Sequence, residues 1–205
     1  MSNVVMAAVV LSANVMGAGM AYPQAHRLVR TRRLQGLSST WVGVSVSMNA
    51  WWLAYGLAVG VWALVPVSIV SLVLYGAIAH VLLSAGGRRM LPGFVLGALA
   101  LGGLPAVALL AGGWQLAGVV IGLGYGVQLA PAVLAAHRTR DLVGVAPGTW
   151  WLALAEAALW LVYGAHVADP ALLVGGSAGV VLATLILTRL AVTGHRPVRH
   201  AWAVG

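Results

Sequence analysis

The chain has 205 residues, of which 61% are hydrophobic and only 7% are charged, and its formal net charge is +8. A water-soluble domain usually carries about a quarter charged residues, so this composition excludes such a domain and predicts a surface that mostly faces lipid. Nucleic-acid binding does not explain the positive charge, because the arginines form short clusters between long apolar stretches. The absence of cysteine excludes disulfide bonds and cysteine-bound metals.

Apolar stretches of about 20 residues, long enough to cross ~30 Å of hydrocarbon as a helix, recur along the chain. We predict seven transmembrane helices joined by short connections. Their ranges are 4–22, 40–59, 64–83, 91–111, 116–136, 148–167 and 171–190. The predicted fold is therefore an all-α, multi-pass protein of the cell membrane.

All eleven arginines lie at the end of the first, third, fifth or seventh predicted helix or follow it. The connections on the opposite side, 60–63, 112–114 and 166–170, contain none. By the positive-inside rule, the N-terminus is expected outside and the C-terminus in the cytoplasm. Five tryptophans at predicted helix ends are expected to be interfacial anchors. They are Trp41, Trp62, Trp114, Trp150 and Trp151.

The chain contains an internal repeat. A shift of 108 residues aligns 23–56 with 131–164 without a gap and gives eleven identities in 34 positions, among them WLAYG at 52–56 against WLVYG at 160–164. Three helices are an odd number, so one extra helix is needed to give both copies the same orientation in the membrane. We predict a first three-helix repeat at 1–85, a linker helix at 86–113, a second repeat at 114–192 and a cytoplasmic tail at 193–205.

Two motifs resemble a known family. Tyr22-Pro23-Gln24, followed by a basic loop, resembles the PQ-loop signature, and the repeated Trp-x-x-Tyr-Gly resembles the second-helix motif of SWEET and SemiSWEET sugar transporters. The 3+1+3 order and the external N-terminus are similar to the same family. The resemblance implies a facilitator that moves small sugars by alternating access. It implies no enzymatic activity and no cofactor. The expected partners are a small-molecule substrate and the lipid bilayer, with no nucleic acid, and a homo-oligomer is compatible with the resemblance.

The tryptophan pair is the first candidate substrate site. Trp52 and Trp160 lie at the same depth on the second helix of each repeat, so two indole faces can oppose each other across a central cavity and pack on the C–H faces of a sugar. The alternative is that both rings only fill space between helices. The family places an asparagine sixteen residues after each tryptophan, whereas this chain has Ser68 and Gly176 there.

Polar stripes follow two of the predicted helices. Ser68, Ser71 and Tyr75 recur at helical spacing in the first repeat, and Ser177, Thr184 and Thr188 recur in the second. These side chains either line a solute path or bond to backbone carbonyls one turn back.

Glu156 is the acidic residue placed deep within a predicted span, which makes it a functional hypothesis. It stands four residues before Trp160 and therefore on the same helix face. The carboxyl group could bind substrate, could couple transport to protons, or could be a neutral, hydrogen-bonded structural group. Asn14 and Asn49 are similarly polar, and either could replace the missing family amides.

Prolines are the last feature that the resemblance carries over. The family tends to have prolines near the cytoplasmic ends of the first two helices of each repeat, and Pro23, Pro131 and Pro147 match this pattern. They are expected to act as hinges for alternating access, or else to produce static kinks.

The sequence leaves three functions open. The first is a passive sugar facilitator, and the second is a proton-coupled PQ-loop carrier of amino acids or another polar solute. The third is a membrane receptor or assembly subunit that transports nothing. A retinal photoreceptor is excluded, because the chain has no lysine to form the Schiff base.

Overall fold

The computed structural model describes residues 3–34, 37–138 and 147–193. The described residues form six α-helices. These are α1 (Asn3–Thr31), α2 (Ser39–Val59), α3 (Val65–Gly86), α4 (Leu91–Arg138), α5 (Pro147–Val167) and α6 (Pro170–Val192). Short 3-10 helices at Trp62–Leu64 and Arg88–Met90 precede α3 and α4. Arg140, Arg196, Arg199 and nearly all of the predicted tail lie outside the described residues.

The helix α4 is interrupted at two glycines. Gly112 (φ −148°, ψ 20°) and Gly113 (φ 66°, ψ −164°) both leave the helical region. The positive φ of Gly113 is a backbone conformation that a side chain disfavours, so glycine suits this position. A straight helix of 48 residues would be roughly 70 Å long, more than twice the ~30 Å hydrocarbon layer. The break falls in the connection predicted from the sequence and divides α4 into the segments 91–111 and 114–138.

Five helical stretches of the described chain are long and apolar enough to cross a membrane. They are Asn3–Thr31, Ser39–Val59, Trp62–Gly86, Arg88–Arg138 and Pro170–Val192. The fold is therefore all-α with the composition of a membrane protein. Two of the seven predicted spans fall within α4, and another falls on α5, whose hydropathy is lowered by Glu156 and three tryptophans.

Two helices extend further than the sequence predicts. The helix α1 continues past its predicted end at Tyr22 and through Pro23 to Thr31, and α4 ends at Arg138, two residues after the predicted end at 136. Proline removes one backbone donor but does not by itself end a helix when the surrounding turns are packed. Part of each predicted basic loop is therefore the last turn of a helix.

The helices pack as two groups of the same arrangement. In the first group, α3 contacts both α1 and α2, and in the second group α6 contacts both α5 and α4. The segment 114–138 supplies the α4 side of that contact, since Gly122 and Gly126 lie against α6. Between the groups, α1 contacts α5 and α2 contacts α4. Each group therefore has one helix between the other two, and the groups meet along two helix pairs.

Apolar side chains fill the interior of the molecule and also form much of its surface. The central cluster draws on both groups and includes Met48, Tyr55, Ile121 and Trp160. Many large apolar residues are fully on the surface, as shown by Leu110, which is 90% exposed. Such a surface is stable in contact with lipid rather than with water.

Candidate functional site

A cavity of about 290 Å³ lies between the two helix groups. Its volume is close to the lower limit of small-molecule pockets, about 300 Å³. Both groups contribute to its wall. All six residues predicted to bind substrate line it, namely Asn49, Trp52, Ser68, Glu156, Trp160 and Gly176. The structure therefore brings these residues together, although their part in binding stays a prediction.

The two tryptophans stand in equivalent surroundings. Trp52 makes an edge contact with Tyr55, and Trp160 makes one with Tyr163, with ring centroids 6.3 Å apart in both cases. Trp160 is 9% exposed, whereas Trp52 is half-buried. The outer edge of the Trp52 ring reaches α6, where a Cβ added to Gly175 would lie 3.4 Å from it. The Trp52 ring thus extends from α2 of the first group to α6 of the second.

Glu156 is one of the residues that line the cavity. It is 8% exposed, and Oε1 accepts a hydrogen bond of 3.3 Å from the Trp160 indole Nε1. Oε2 is buried and has no hydrogen-bond partner among the described residues. The helix α1 approaches closely here, because a Cβ on Gly17 would lie 2.6 Å from Oε1. Tyr75 of α3 and Tyr125 of α4 line the same cavity as Glu156.

A second set of polar groups lies at the part of the cavity near the start of α2. Gln128 Nε2 of α4 donates a hydrogen bond of 2.9 Å to Ser45 Oγ of α2, so this bond joins the two groups. Asn49 Nδ2 bonds to the Ser45 backbone carbonyl one turn earlier, at 2.8 Å. The first predicted polar stripe also lines the cavity, since Ser68 and Ser71 are buried at its wall and Tyr75 lines it as well.

The second polar stripe does not face the cavity. Ser177, Thr184 and Thr188 are exposed on α6, away from the other helices. The face that α6 turns inward carries glycines instead. A Cβ on Gly176 would lie 2.9 Å from the Leu161 backbone, so this residue brings α6 into close contact with α5 and contributes no side chain to the cavity.

A buried hydrogen bond joins the two groups at the opposite end. Tyr55 of α2 donates from its hydroxyl to Asp169 Oδ2 over 2.7 Å, across 114 positions of sequence. Asp169 is 7% exposed and also caps α6, because its Oδ1 accepts from the Leu172 backbone N–H at 2.9 Å. Asp169 follows Ala168, whose φ of 52° is uncommon for a residue with a side chain. The Asp169 carboxylate thus fixes the N-terminal end of α6 against α2.

The other predicted site residues lie away from the cavity wall. Pro23 and Pro131 are exposed positions inside α1 and α4, where each removes one backbone hydrogen bond. Pro147 is the first residue of α5, a position at which the missing N–H interrupts no bond within the helix. Asn14 donates to the carbonyl groups of Val10 and Ala63 and is not among the residues that line the cavity.

The predicted interfacial tryptophans divide into two kinds. Trp62 and Trp151 are 67% and 62% exposed, as anchors should be. Trp41 lines the cavity and packs edge-on against Tyr75, and Trp114 packs against Trp51 and Tyr55. Trp150 packs against the apolar cluster between α4 and α6. A tryptophan near a helix end can therefore face either lipid or a neighbouring helix, which sequence position alone does not distinguish.

The chain matches no model of a known protein family, and no curated protein matches it. Its resemblance to SWEET and PQ-loop proteins therefore stays a proposal.

Sequence reasoning missed several residues of this region. Tyr125 and Gln128 line the cavity, and Asp169 joins the two helix groups through its hydrogen bond with Tyr55. The repeat does not identify Tyr125, because the 108-residue shift that pairs Trp52 with Trp160 pairs Tyr125 with Gly17, which has no side chain. Asp169 has the uncharged Val61 as its equivalent, so the repeat does not identify it.

Proposed function

We propose that this protein is a membrane transporter that carries small polar solutes, sugars foremost, by alternating access to the cavity between its two helix groups. The observation that carries the proposal is the cavity itself. Trp52 and Trp160, taken from equivalent positions of the repeat, line it together with hydroxyl, amide and carboxyl groups. Apolar walls with a few polar groups suit a solute that has C–H faces and hydroxyl groups.

The same packing in both groups supports the 3+1+3 architecture of seven spans. With α4 divided at Gly112–Gly113, segment 91–111 is the linker helix and segment 114–138 begins the second repeat. The contacts of α1 with α5 and of α2 with segment 114–138 are then equivalent under the repeat. Such pairing is expected of two parallel repeats related by an axis along the membrane normal.

The orientation of the chain is proposed from its arginines. Each described arginine lies at or beyond the end of α1, α3, α4 or α6. With seven spans, these ends share one side of the membrane, which is the cytoplasmic side by the positive-inside rule. A tag at the N-terminus should then be accessible on intact cells, and a tag after Gly205 should not. Two accessible tags, or none, would contradict seven spans.

Two hydrogen bonds join the groups, one nearer each side of the membrane, and breaking either bond could open the cavity to that side. Tyr55 and Asp169 join the groups near the side that the arginine rule places outside, and Ser45 and Gln128 join them towards the inside. In the proposed cycle one bond breaks while the other persists, and bending near Pro23 and Pro131 accommodates the movement.

Reconstitution tests the proposal. Purified protein in liposomes is assayed for uptake of labelled monosaccharides, disaccharides and amino acids, beside the Trp52→Ala, Trp160→Ala double variant. The Trp151→Ala variant is the matched control, because that ring is exposed on the outside of α5. We expect uptake of at least one solute by the wild type and the control, and loss in the double variant. A folded wild type that moves none of them would favour the receptor or assembly role.

A proton-coupled carrier is the second candidate, and the buried carboxyl group of Glu156 in the cavity favours it. An imposed pH gradient separates the two functions. A carrier accumulates solute against its concentration gradient and loses this accumulation in Glu156→Gln. A facilitator only equilibrates solute in the wild type, with or without the pH gradient.

A further inference from the structure

The cavity contains one carboxyl group and, among the described residues that line it, no arginine, lysine or histidine. Oε1 of Glu156 receives only the 3.3 Å bond from Trp160, and Oε2 is buried without a partner among the described residues. A buried acceptor that lacks a donor lowers stability, and a charged acceptor without a countercharge lowers it more. The hydrogen bonding of the Glu156 carboxyl group is therefore incomplete among the described residues. A rotation of this side chain towards the cavity that it lines would let a bound solute complete it with a hydrogen-bond donor that carries positive charge.

The surroundings of Glu156 fit an ammonium group. Aromatic rings from three helices line the same cavity, namely those of Trp160, Tyr75 and Tyr125, and Trp160 contacts the carboxyl group directly. Aromatic faces attract cations within about 6 Å of the ring centroid, most strongly where water is excluded. A carboxyl group bordered by aromatic rings therefore favours an organic ammonium over a neutral hydroxyl group.

The other polar side chains of the cavity favour a solute whose remaining polar groups are hydroxyls. Ser68 and Ser71 line it from α3, and Asn49 and Gln128 line it from α2 and α4. These groups are neutral donors and acceptors, so they match hydroxyl groups rather than a second charge. The volume of about 290 Å³ limits the solute to a small molecule.

We infer that Glu156 is an ammonium-binding subsite and that the transported solute is a small hydroxylated primary amine, the chemical class to which free amino sugars belong. This inference depends on the proposed function, which it narrows from small polar solutes to aminated ones. It assigns Glu156 a direct contact with substrate, and it assigns Gly17 the role of leaving space for the carboxyl group, which a side chain at that position would displace.

Binding to the purified protein is the first test. Affinities for glucosamine, glucose and N-acetylglucosamine are measured by titration calorimetry at pH ~6.5, where an amine of ordinary basicity is protonated. We expect glucosamine to bind at least ~10-fold more tightly than glucose, a difference of about 1.4 kcal/mol. N-acetylglucosamine, which keeps the nitrogen but not its charge, should show no such gain. Equal affinities for glucosamine and glucose would overturn the inference without any variant.

Variants then assign the preference to the carboxyl group. The ratio of glucosamine to glucose affinity should fall to about one in Glu156→Gln and should stay above one in Glu156→Asp, which keeps the charge on a shorter side chain. Gly17→Ala should also reduce the ratio, because the added methyl group moves the carboxyl group without removing it. A ratio unchanged in Glu156→Gln would place the ammonium elsewhere and contradict the assignment.

Transport and binding together separate this inference from the proposed function. If glucosamine binds preferentially but no solute crosses the liposome membrane, the proposed function fails and the subsite stands. If glucose and glucosamine cross at equal rates and bind equally, the transporter stands and the ammonium subsite is wrong.

Discussion

Trp52 and Trp160 occupy equivalent positions in the two helix groups, yet the residue one helical turn before each differs: Met48 precedes Trp52 and Glu156 precedes Trp160. The difference extends further, since Gly17 of α1 has Tyr125 as its equivalent in α4. The two groups therefore share their helix packing and their aromatic rings but not their polar groups. A duplicated scaffold can keep the residues that shape a cavity while one copy alone supplies the acid.

The largest expected effect comes from removing each tryptophan separately. Truncating a buried tryptophan to alanine destabilises a packed site by about 3–5 kcal/mol. We expect Trp160→Ala to lower stability more than Trp52→Ala, because Trp160 is more buried and also donates to Glu156. Thermal unfolding in detergent measures this difference. Equal losses of stability in the two variants would mean that the difference between Met48 and Glu156 does not change how much each ring stabilises the fold.

The next comparison concerns the tyrosines of the two Trp-x-x-Tyr-Gly motifs. Tyr55→Phe leaves the buried Asp169 Oδ2 without its 2.7 Å donor, which should cost about 1–3 kcal/mol. Tyr163→Phe is the matched control from the second group. Because the chain has no cysteine, Ser68→Cys introduces a unique label site in the cavity wall. We expect Tyr55→Phe, but not Tyr163→Phe, to speed its labelling by an impermeant maleimide from outside.

Helix contacts provide the third comparison, between Ser68 and its equivalent Gly176. In Gly176→Ala the new Cβ would lie 2.9 Å from the Leu161 backbone, so α6 must move away from α5. Overpacking of this kind typically costs ~1–3 kcal/mol. Ser68→Ala removes only a hydroxyl group and should have a smaller effect. If unfolding temperatures showed Ser68→Ala to be the more destabilised variant, the role assigned to Gly176 would be wrong.

The smallest expected effect is at Ala168, whose φ is 52°. Glycine adopts this conformation readily, so Ala168→Gly should stabilise the connection before Asp169 by about 1 kcal/mol. Thermal unfolding of the variant checks the sign. The equivalent turn of the first group already has a glycine, Gly60, with φ 76°. A destabilised Ala168→Gly would show that the Ala168 methyl group makes a contact that outweighs the strain.

Much of the fold follows from composition and spacing. Long apolar stretches determine where helices lie, and the four-residue spacing of Glu156 and Trp160 places both on one helix face. The residues that sequence reasoning placed wrongly, or missed, depend on neighbours distant in the chain. The hydroxyl groups of Ser177 and Thr184 face outward because glycines occupy the inward side of α6. Asp169 meets Tyr55 only after both groups have packed, and no local pattern encodes that contact.

The break at Gly112–Gly113 has a mechanical consequence for α2. This helix lies along both parts of α4: Gly97 of segment 91–111 packs closely against the Thr40 carbonyl, and Gly124 of segment 114–138 packs against the Met48 side chain. Contacts of backbone with backbone leave little room for sliding. In the proposed cycle α2 would therefore move together with segment 91–111, while its side-chain contacts with segment 114–138 rearrange. The break at Gly112–Gly113 would then separate the part of α4 that moves with the first group from the part that stays with the second.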